Sequence, residues 1–294
     1  MAKKTDAASS RTAEFTCFTR AASYAEKDLR LKSDDYISYQ IIPRGKKILI
    51  RLPAARHFLV RRLFARGMFE YVVARTKYID GEFRQALNDG FEQILIFGAG
   101  YDSRAIRFQS SAKDIRLFEL DTSETQSSKI AWFGHNGIRF PANLTFIPID
   151  FDTQSLADRL DACGFERGRR TLFLLEGLTM YLEPGSIDRA FRTIAEYAGT
   201  GSRLVFDYIY APVLSHPNLY YGGEEAARAV EKVGEKWIFG IAEGKLEEFL
   251  SGYHLEAARS MNADALENEY FKSACAGRTR RINGTHCIVT AVKK

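Results

Sequence analysis

Five short apolar runs, each closed by a glycine turn or a carboxylate, constrain this chain more than any other feature. Gln93–Phe97 (QILIF) stops at Gly98, Ile115–Leu120 (IRLFEL) at Asp121 and Leu144–Ile149 (LTFIPI) at Asp150. Thr171–Leu175 (TLFLL) stops at Glu176 and Arg203–Phe206 (RLVF) at Asp207. Near-continuous apolar runs of this length suit strands covered on both faces, and such strands belong to parallel sheets. Stretches with helical spacing separate them. Ile187, Ala190, Phe191, Ile194, Ala195 and Ala198 share one helical face after a Glu183-Pro184-Gly185 start. The alternation predicts an α/β doubly wound sheet. Tyr253–Met261 and Thr285–Val292 read as two further strands, an antiparallel closing hairpin whose long connection contains Gly277 and Gly284.

The first 85 or so residues have a different texture, rich in Ala, Arg, Lys and aromatics. Phe58, Leu59, Arg62, Leu63 and Ala65 to Phe69 predict an amphipathic helix interrupted near Gly67, and Pro43 and Pro53 punctuate the segment. We read residues 1–85 as a helical cap, and residues 86–294 as the sheet core with a lid insertion at 208–245, all in one structural unit. A chain of 294 residues buries roughly 75% of its unfolded surface, so this core needs no staples. Its four cysteines, Cys17, Cys163, Cys275 and Cys287, form no CxxC pair. Free thiols in a reducing cytoplasm are expected, with no metal site. The polar start MAKKTDAASSRTAEF shows no signal-peptide apolar region, and no apolar run is long enough to span a bilayer, so no membrane partner is expected.

Charge is uneven. From Arg44 to Lys77 ten basic residues face the single acid Glu70, a local +9 in a chain of net charge +5. Such a segment favours an anionic partner, or is a solvated helix face. Nucleic acid is disfavoured, since no recognisable binding module accompanies the charge.

In open α/β sheets ligands sit outside the carboxyl ends of the strands. Buried carboxylates there need partners, so the row Asp121, Asp150, Glu176, Asp207 implies a polar ligand. Gly98-Ala99-Gly100 follows a strand and precedes a helix start capped by Asp102 or Ser103. Asp121 lies 23 residues after Gly98, where a second-strand carboxylate accepts ribose hydroxyls. A dinucleotide or S-adenosylmethionine fits this pattern. The third glycine of a dinucleotide fingerprint is replaced by Ser103. The later carboxylates suit the amino, hydroxyl and sulfonium groups of S-adenosylmethionine.

With these residues the chain resembles the leucine carboxyl methyltransferase family of class I S-adenosylmethionine-dependent methyltransferases, and most closely its bacterial O-methyltransferase branch, which includes polyketide methyltransferases. The resemblance rests on Arg75-Thr76-Lys77-Tyr78-Ile79-Asp80, on the stretch from Phe97 to Arg107 (FGAGYDSRAIR), and on Phe118-Glu119-Leu120-Asp121. Ile149-Asp150-Phe151, the stretch from Leu175 to Leu182 (LEGLTMYL), and a weaker echo from Gly234 to Gly240 complete it. It implies a Rossmann-like, seven-stranded, mostly parallel sheet. It also implies that Arg75 holds the carboxylate of the cofactor's methionine part and that Gly98, Ala99 and Gly100 form the cofactor loop. Asp121 takes the ribose hydroxyls, Asp150 and Phe151 flank the adenine, and Glu176 faces the methionine ammonium or a water network near it. Arg20 is a further basic contact. Tyr181, Trp237 and Phe239 are read as substrate or lid residues. The acidic residue that many methyltransferases carry two positions before the first glycine is Ile96 here.

The expected reaction is in-line methyl transfer to a small-molecule carboxylate or phenol. A carboxylate acceptor needs no general base, and charge is lost on the way to the transition state, so a dry pocket helps. A phenol would profit from a base, for which His216 in Leu214-Ser215-His216-Pro217 is the candidate; His57, His135, His254 and His286 have no motif around them. Protein C-termini and nucleic acid remain less favoured acceptors. The alternatives are a nicotinamide-dependent Rossmann oxidoreductase and a catalytically silent binding protein.

Overall fold

The computed structural model describes residues 11–272 and 280–294. Cys275 and Gly277 lie outside the described residues. Five helices precede the first strand: α1 (Arg11–Tyr24), α2 (Tyr36–Ile41), α3 (Arg44–Arg51), α4 (Pro53–Leu63) and α5 (Met68–Asn88). The predicted interruption near Gly67 is the boundary between α4 and α5, and Pro53 is the first residue of α4. The sheet region then runs β1 (Gln93–Phe97), α6 (Arg104–Arg107), β2 (Arg116–Asp121), α7 (Ser123–His135), β3 (Leu144–Pro148), α8 (Leu156–Ala162) and β4 (Thr171–Leu175). It continues through α9 (Pro184–Tyr197), β5 (Arg203–Ile209), α10 (Gly223–Lys232), α11 (Leu246–Ser251), β6 (Leu255–Met261), α12 (Ala263–Tyr270) and β7 (His286–Lys293).

Seven strands make one sheet in the order β3-β2-β1-β4-β5-β7-β6. The first five pair parallel and β7 is antiparallel to both its neighbours. The chain reverses its strand order between β1 and β4, and that switch point is where open sheets bind ligands. Residues of β1 and β4 are buried throughout, as their unbroken apolar sequence requires. Because side chains alternate, Ile94 and Ile96 enter the core under α1 and α5, while Leu95 and Phe97 enter the core shared with α8 and α9. The outer strand β6 alternates far less apolar character and is largely exposed, as suits an edge.

Two sequence expectations change. The fifth strand does not end at Asp207 but runs to Ile209, because β7 pairs alongside it through Asp207↔Ile288, Tyr208↔Cys287 and Ile209↔His286. Asp207 is therefore held inside a strand and fully buried. The last two strands are antiparallel neighbours, but α12 occupies their connection, so they are not a tight hairpin. Cys17, Cys163 and Cys287 are free thiols. Among the described residues no helix is long and apolar enough to cross a membrane.

Candidate functional site

The turn after β1 positions the first group of residues. Gly98 and Gly100 have φ values of 56° and 48°, in the left-handed region that costs other residues energy. Space is tight as well: a Cβ at Gly98 would lie 3.0 Å from the Leu178 side chain, and one at Gly100 3.0 Å from Cβ of Ala13. Helix α1 thus lies directly over the turn. Asp121, the last residue of β2, accepts the backbone N–H of Gly100 at 2.6 Å and that of Thr122 at 2.7 Å. Burial raises its pKa, and those two N–H groups oppose the rise. Ser103, at the place of a third glycine, is buried and donates to Asp35 at 2.7 Å, while the Asp102 carboxylate takes the capping role and accepts Arg104 N–H at 2.6 Å.

Beside the turn lies a buried ionic network. Arg104 reaches Asp80 (2.8 Å) and Glu176 (2.7 Å) and also bonds Asp102. Arg75 lies 2.7 Å from Asp207 and 3.0 Å from Glu176. Arg20 is held between Asp35 (2.8 Å) and the Tyr101 carbonyl (2.7 Å), and Arg107 between Asp80 and Asp35. Charges out of water survive only when paired in this way. Burial by itself would raise Glu176, but the Arg104 and Arg75 guanidinium groups override it and hold the carboxyl at about 2. Pairing is incomplete: Arg104 Nη2, Arg75 Nε and Glu176 Oε1 are buried without an aligned hydrogen bond.

At the far end of Arg75, Tyr71 donates its hydroxyl to Asp207 at 2.8 Å. The ring of His286 stacks on Tyr71 with centroids 4.4 Å apart, and Trp237 meets His286 edge-on at 5.3 Å. His286 shares its Nδ1 with the Thr285 hydroxyl at 2.6 Å. Burial drives the imidazole pKa down to about 3. Tyr181 is pushed up to about 12 by burial, next to Trp237, whose indole N–H has no aligned partner.

The structure brings together Arg20, Arg75, the Gly98–Gly100 turn, Asp121, Glu176, Tyr181 and Trp237. Others fall elsewhere. His216 is exposed and pairs with Ser215 at 2.8 Å, so the candidate base is not in this cluster; it heads a short 3-10 turn in a polar loop. Phe239 packs on Phe249 at 6.0 Å in the α9–α11 core, away from His286, because the chain there is pinned to the Met180 carbonyl by Ile238 and Phe239 N–H. Asp150 is exposed and its carboxylate accepts Asp152 N–H (2.9 Å) and the Thr153 hydroxyl (2.8 Å). Phe151 stacks on Phe97 at 5.9 Å, at the edge of the switch point. Sequence reasoning missed Asp35, Tyr71, Asp80, Arg104 and His286. Arg104 stood inside the quoted FGAGYDSRAIR stretch; nothing local marks His286 beyond the neighbouring Thr285, since the rings that enclose it, Tyr71 and Trp237, lie 215 and 49 positions away.

The sequence profile of the leucine carboxyl methyltransferase family matches residues 13–195, which contain Arg20, Arg75, the glycine turn, Asp121, Glu176 and Tyr181 but not Asp207, Trp237 or His286. The chain belongs to this family. A candidate S-adenosyl-L-methionine-dependent methyltransferase of Mycolicibacterium vanbaalenii is 33% identical over 141 residues, 47% of this chain and 45% of that protein. The match therefore spans less than half of that relative's length. Two crystal structures share the fold at TM-score 0.57: a candidate methyltransferase of Thermobifida fusca (15% identity, covering 97% of this chain and 98% of that one) and a DUF574 family protein of Streptomyces avermitilis (14%, 94% and 97%). The expected Rossmann-like methyltransferase fold is thereby met.

S-adenosyl-L-methionine is the cofactor of the family, and the residues fit it. The two Cβ-free positions leave the β1 turn open to close approach. Asp121 projects acceptor oxygens at the end of β2, as ribose hydroxyls need. The unaligned Glu176 and Arg104 atoms offer an acceptor and a donor to the ammonium and carboxylate of its methionine part.

Proposed function

We propose that the protein methylates a carboxylate oxygen of a small anionic acceptor. The bound sulfonium supplies the methyl group in an in-line displacement. The chain's own residues then have four tasks. Gly98, Ala99, Gly100 and Asp121 fix the nucleoside, with Asp150 and Phe151 beside the adenine. Glu176, Arg75 and Arg20 balance the methionine end. Tyr181 and Trp237 border the acceptor, and the helices over the turn exclude water.

His286 carries this reading. It is the buried histidine of the cluster, and a pKa of about 3 makes it a poor proton acceptor. A phenol or alcohol would call for a base; a carboxylate arrives already ionised. The basic side chains of residues 44–62 that make no ion pair among the described residues give the chain a local positive field that suits an anionic acceptor. Loss of charge during the reaction favours a site shielded from water.

The test is a screen of carboxylic acids and phenols with labelled cofactor. Products of carboxyl methylation release methanol in mild alkali, whereas ethers do not. A base-stable product, or a rate that climbs through an ionisation between pH 6 and 8, overturns the reading.

A further inference from the structure

Helix α3 is amphipathic the wrong way round. Ile48 and Leu49 lie four and three residues before Leu52, the residue that closes the helix, which is the spacing of a core-facing stripe. Yet this stripe faces outward: Ile48 is 64% exposed, Leu49 46% and Leu52 55%, and of the helix only Ile50 is buried. Helix α4, joined to α3 at Leu52-Pro53, continues the surface with Phe58, 66% exposed, and Leu63, 50% exposed. Large side chains at this exposure, clustered on one hairpin, mark a contact surface.

The charge around it has one sign. From Tyr36 to Phe69 there is no Asp or Glu, against eight Lys and Arg. Arg56 is buried on Glu26 and Arg66 pairs with Glu225. Arg44, Lys46, Lys47, Arg51, Arg61 and Arg62 make no ion pair among the described residues. The partner must therefore offer negative charge next to an apolar layer. A second copy of this chain would set cations against cations. Residues 1–10 carry two lysines and one aspartate, so they bring no complementary charge. A nucleic acid would meet the cations but leave Ile48, Leu49 and Leu52 in water. An anionic bilayer surface meets both demands: headgroups take the basic side chains while the apolar stripe enters the acyl boundary.

We propose that the α3–α4 hairpin is an interfacial docking site for anionic lipid bilayers. The earlier expectation of no membrane partner then holds for spanning but not for surface attachment. The hairpin adjoins the site: Phe64, at its end, packs on Phe15 of α1 at 4.4 Å, and α1 covers the glycine turn.

The test is sedimentation of the full chain with vesicles. Binding to phosphatidylcholine vesicles containing phosphatidylglycerol, absent with phosphatidylcholine alone and released by about 0.5 M salt, where the screening length falls to about 4 Å, is the expected result. Each basic residue near such a surface adds roughly five-fold in affinity, so Arg61→Gln with Arg62→Gln lowers binding by roughly 25-fold. Leu52→Asp and Phe58→Asp abolish it, while cofactor binding by calorimetry is unchanged and shows that the fold is intact. Absence of binding by the wild type overturns the proposal. So does vesicle binding indifferent to Leu52→Asp and Phe58→Asp, which is charge alone and would equally serve RNA, or a dimer that Leu52→Asp dissociates.

Discussion

His286 lies on the ring of Tyr71, centroids 4.4 Å apart and planes inclined by 30°. The stack joins the first residue of the last strand to a helix that precedes the whole sheet. It also keeps the imidazole neutral. Burial lowers its pKa from 6.5 to about 3, so the unfolded chain binds the proton more readily between those values. The stability due to a neutral His286 is complete above pH 6.5 and is lost as pH falls towards 3. The integrated effect is on the order of 5 kcal/mol. Urea midpoints measured from pH 7.5 to 4.5 should fall more steeply in the native protein than in His286→Phe, which retains the stack. Parallel slopes in the two proteins would refute this account.

Asp121 accepts two backbone N–H groups and keeps lone pairs for a sugar. Removing a charge-assisted bond costs about 2 kcal/mol, so Asp121→Ala should weaken S-adenosylmethionine binding by roughly 30-fold, as read by calorimetry. An unaltered Kd places the nucleoside elsewhere.

Arg104 links three carboxylates, Asp80, Asp102 and Glu176, in the interior. Arg104→Met strands all three and should cost about 3–5 kcal/mol in unfolding free energy. The exposed pair Arg192–Asp188 provides the contrast: Arg192→Met should change stability by less than about 1 kcal/mol. Equal losses in the two variants would show that the network adds nothing beyond surface pairing.

A methyl group added by Gly100→Ala would press on Ala13 of α1. Amide exchange should then accelerate across Arg11–Tyr24 and remain slow in β1. Uniform protection in the variant would mean that the helix does not rest on the turn.

Much of the sheet was legible because its chemistry is local. Strands covered on both faces must be apolar throughout, and Gln93–Phe97 and Thr171–Leu175 were found to the residue. The glycine turn and Asp121 were legible because backbone geometry dictates residue type there. Asp207 was misjudged as a strand end because the pairing that extends β5 comes from β7, about 80 residues later. His216 drew attention through its Ser-His-Pro neighbourhood, whereas His286 is set apart only by what packs on it. The basic segment was visible as charge, but its parts separate in space: Arg56 and Arg75 turn inward to Glu26 and Asp207, while Arg61 and Arg62 stay in water. Counting charges along a chain cannot distinguish these fates.

The contact between Ala13 and Gly100 makes helix α1 a ceiling over the glycine turn. A disturbance of Arg11–Tyr24 therefore reaches the turn directly through that contact. A variant that loosens α1 should load and discharge cofactor at a different rate, even where the sheet beneath is untouched.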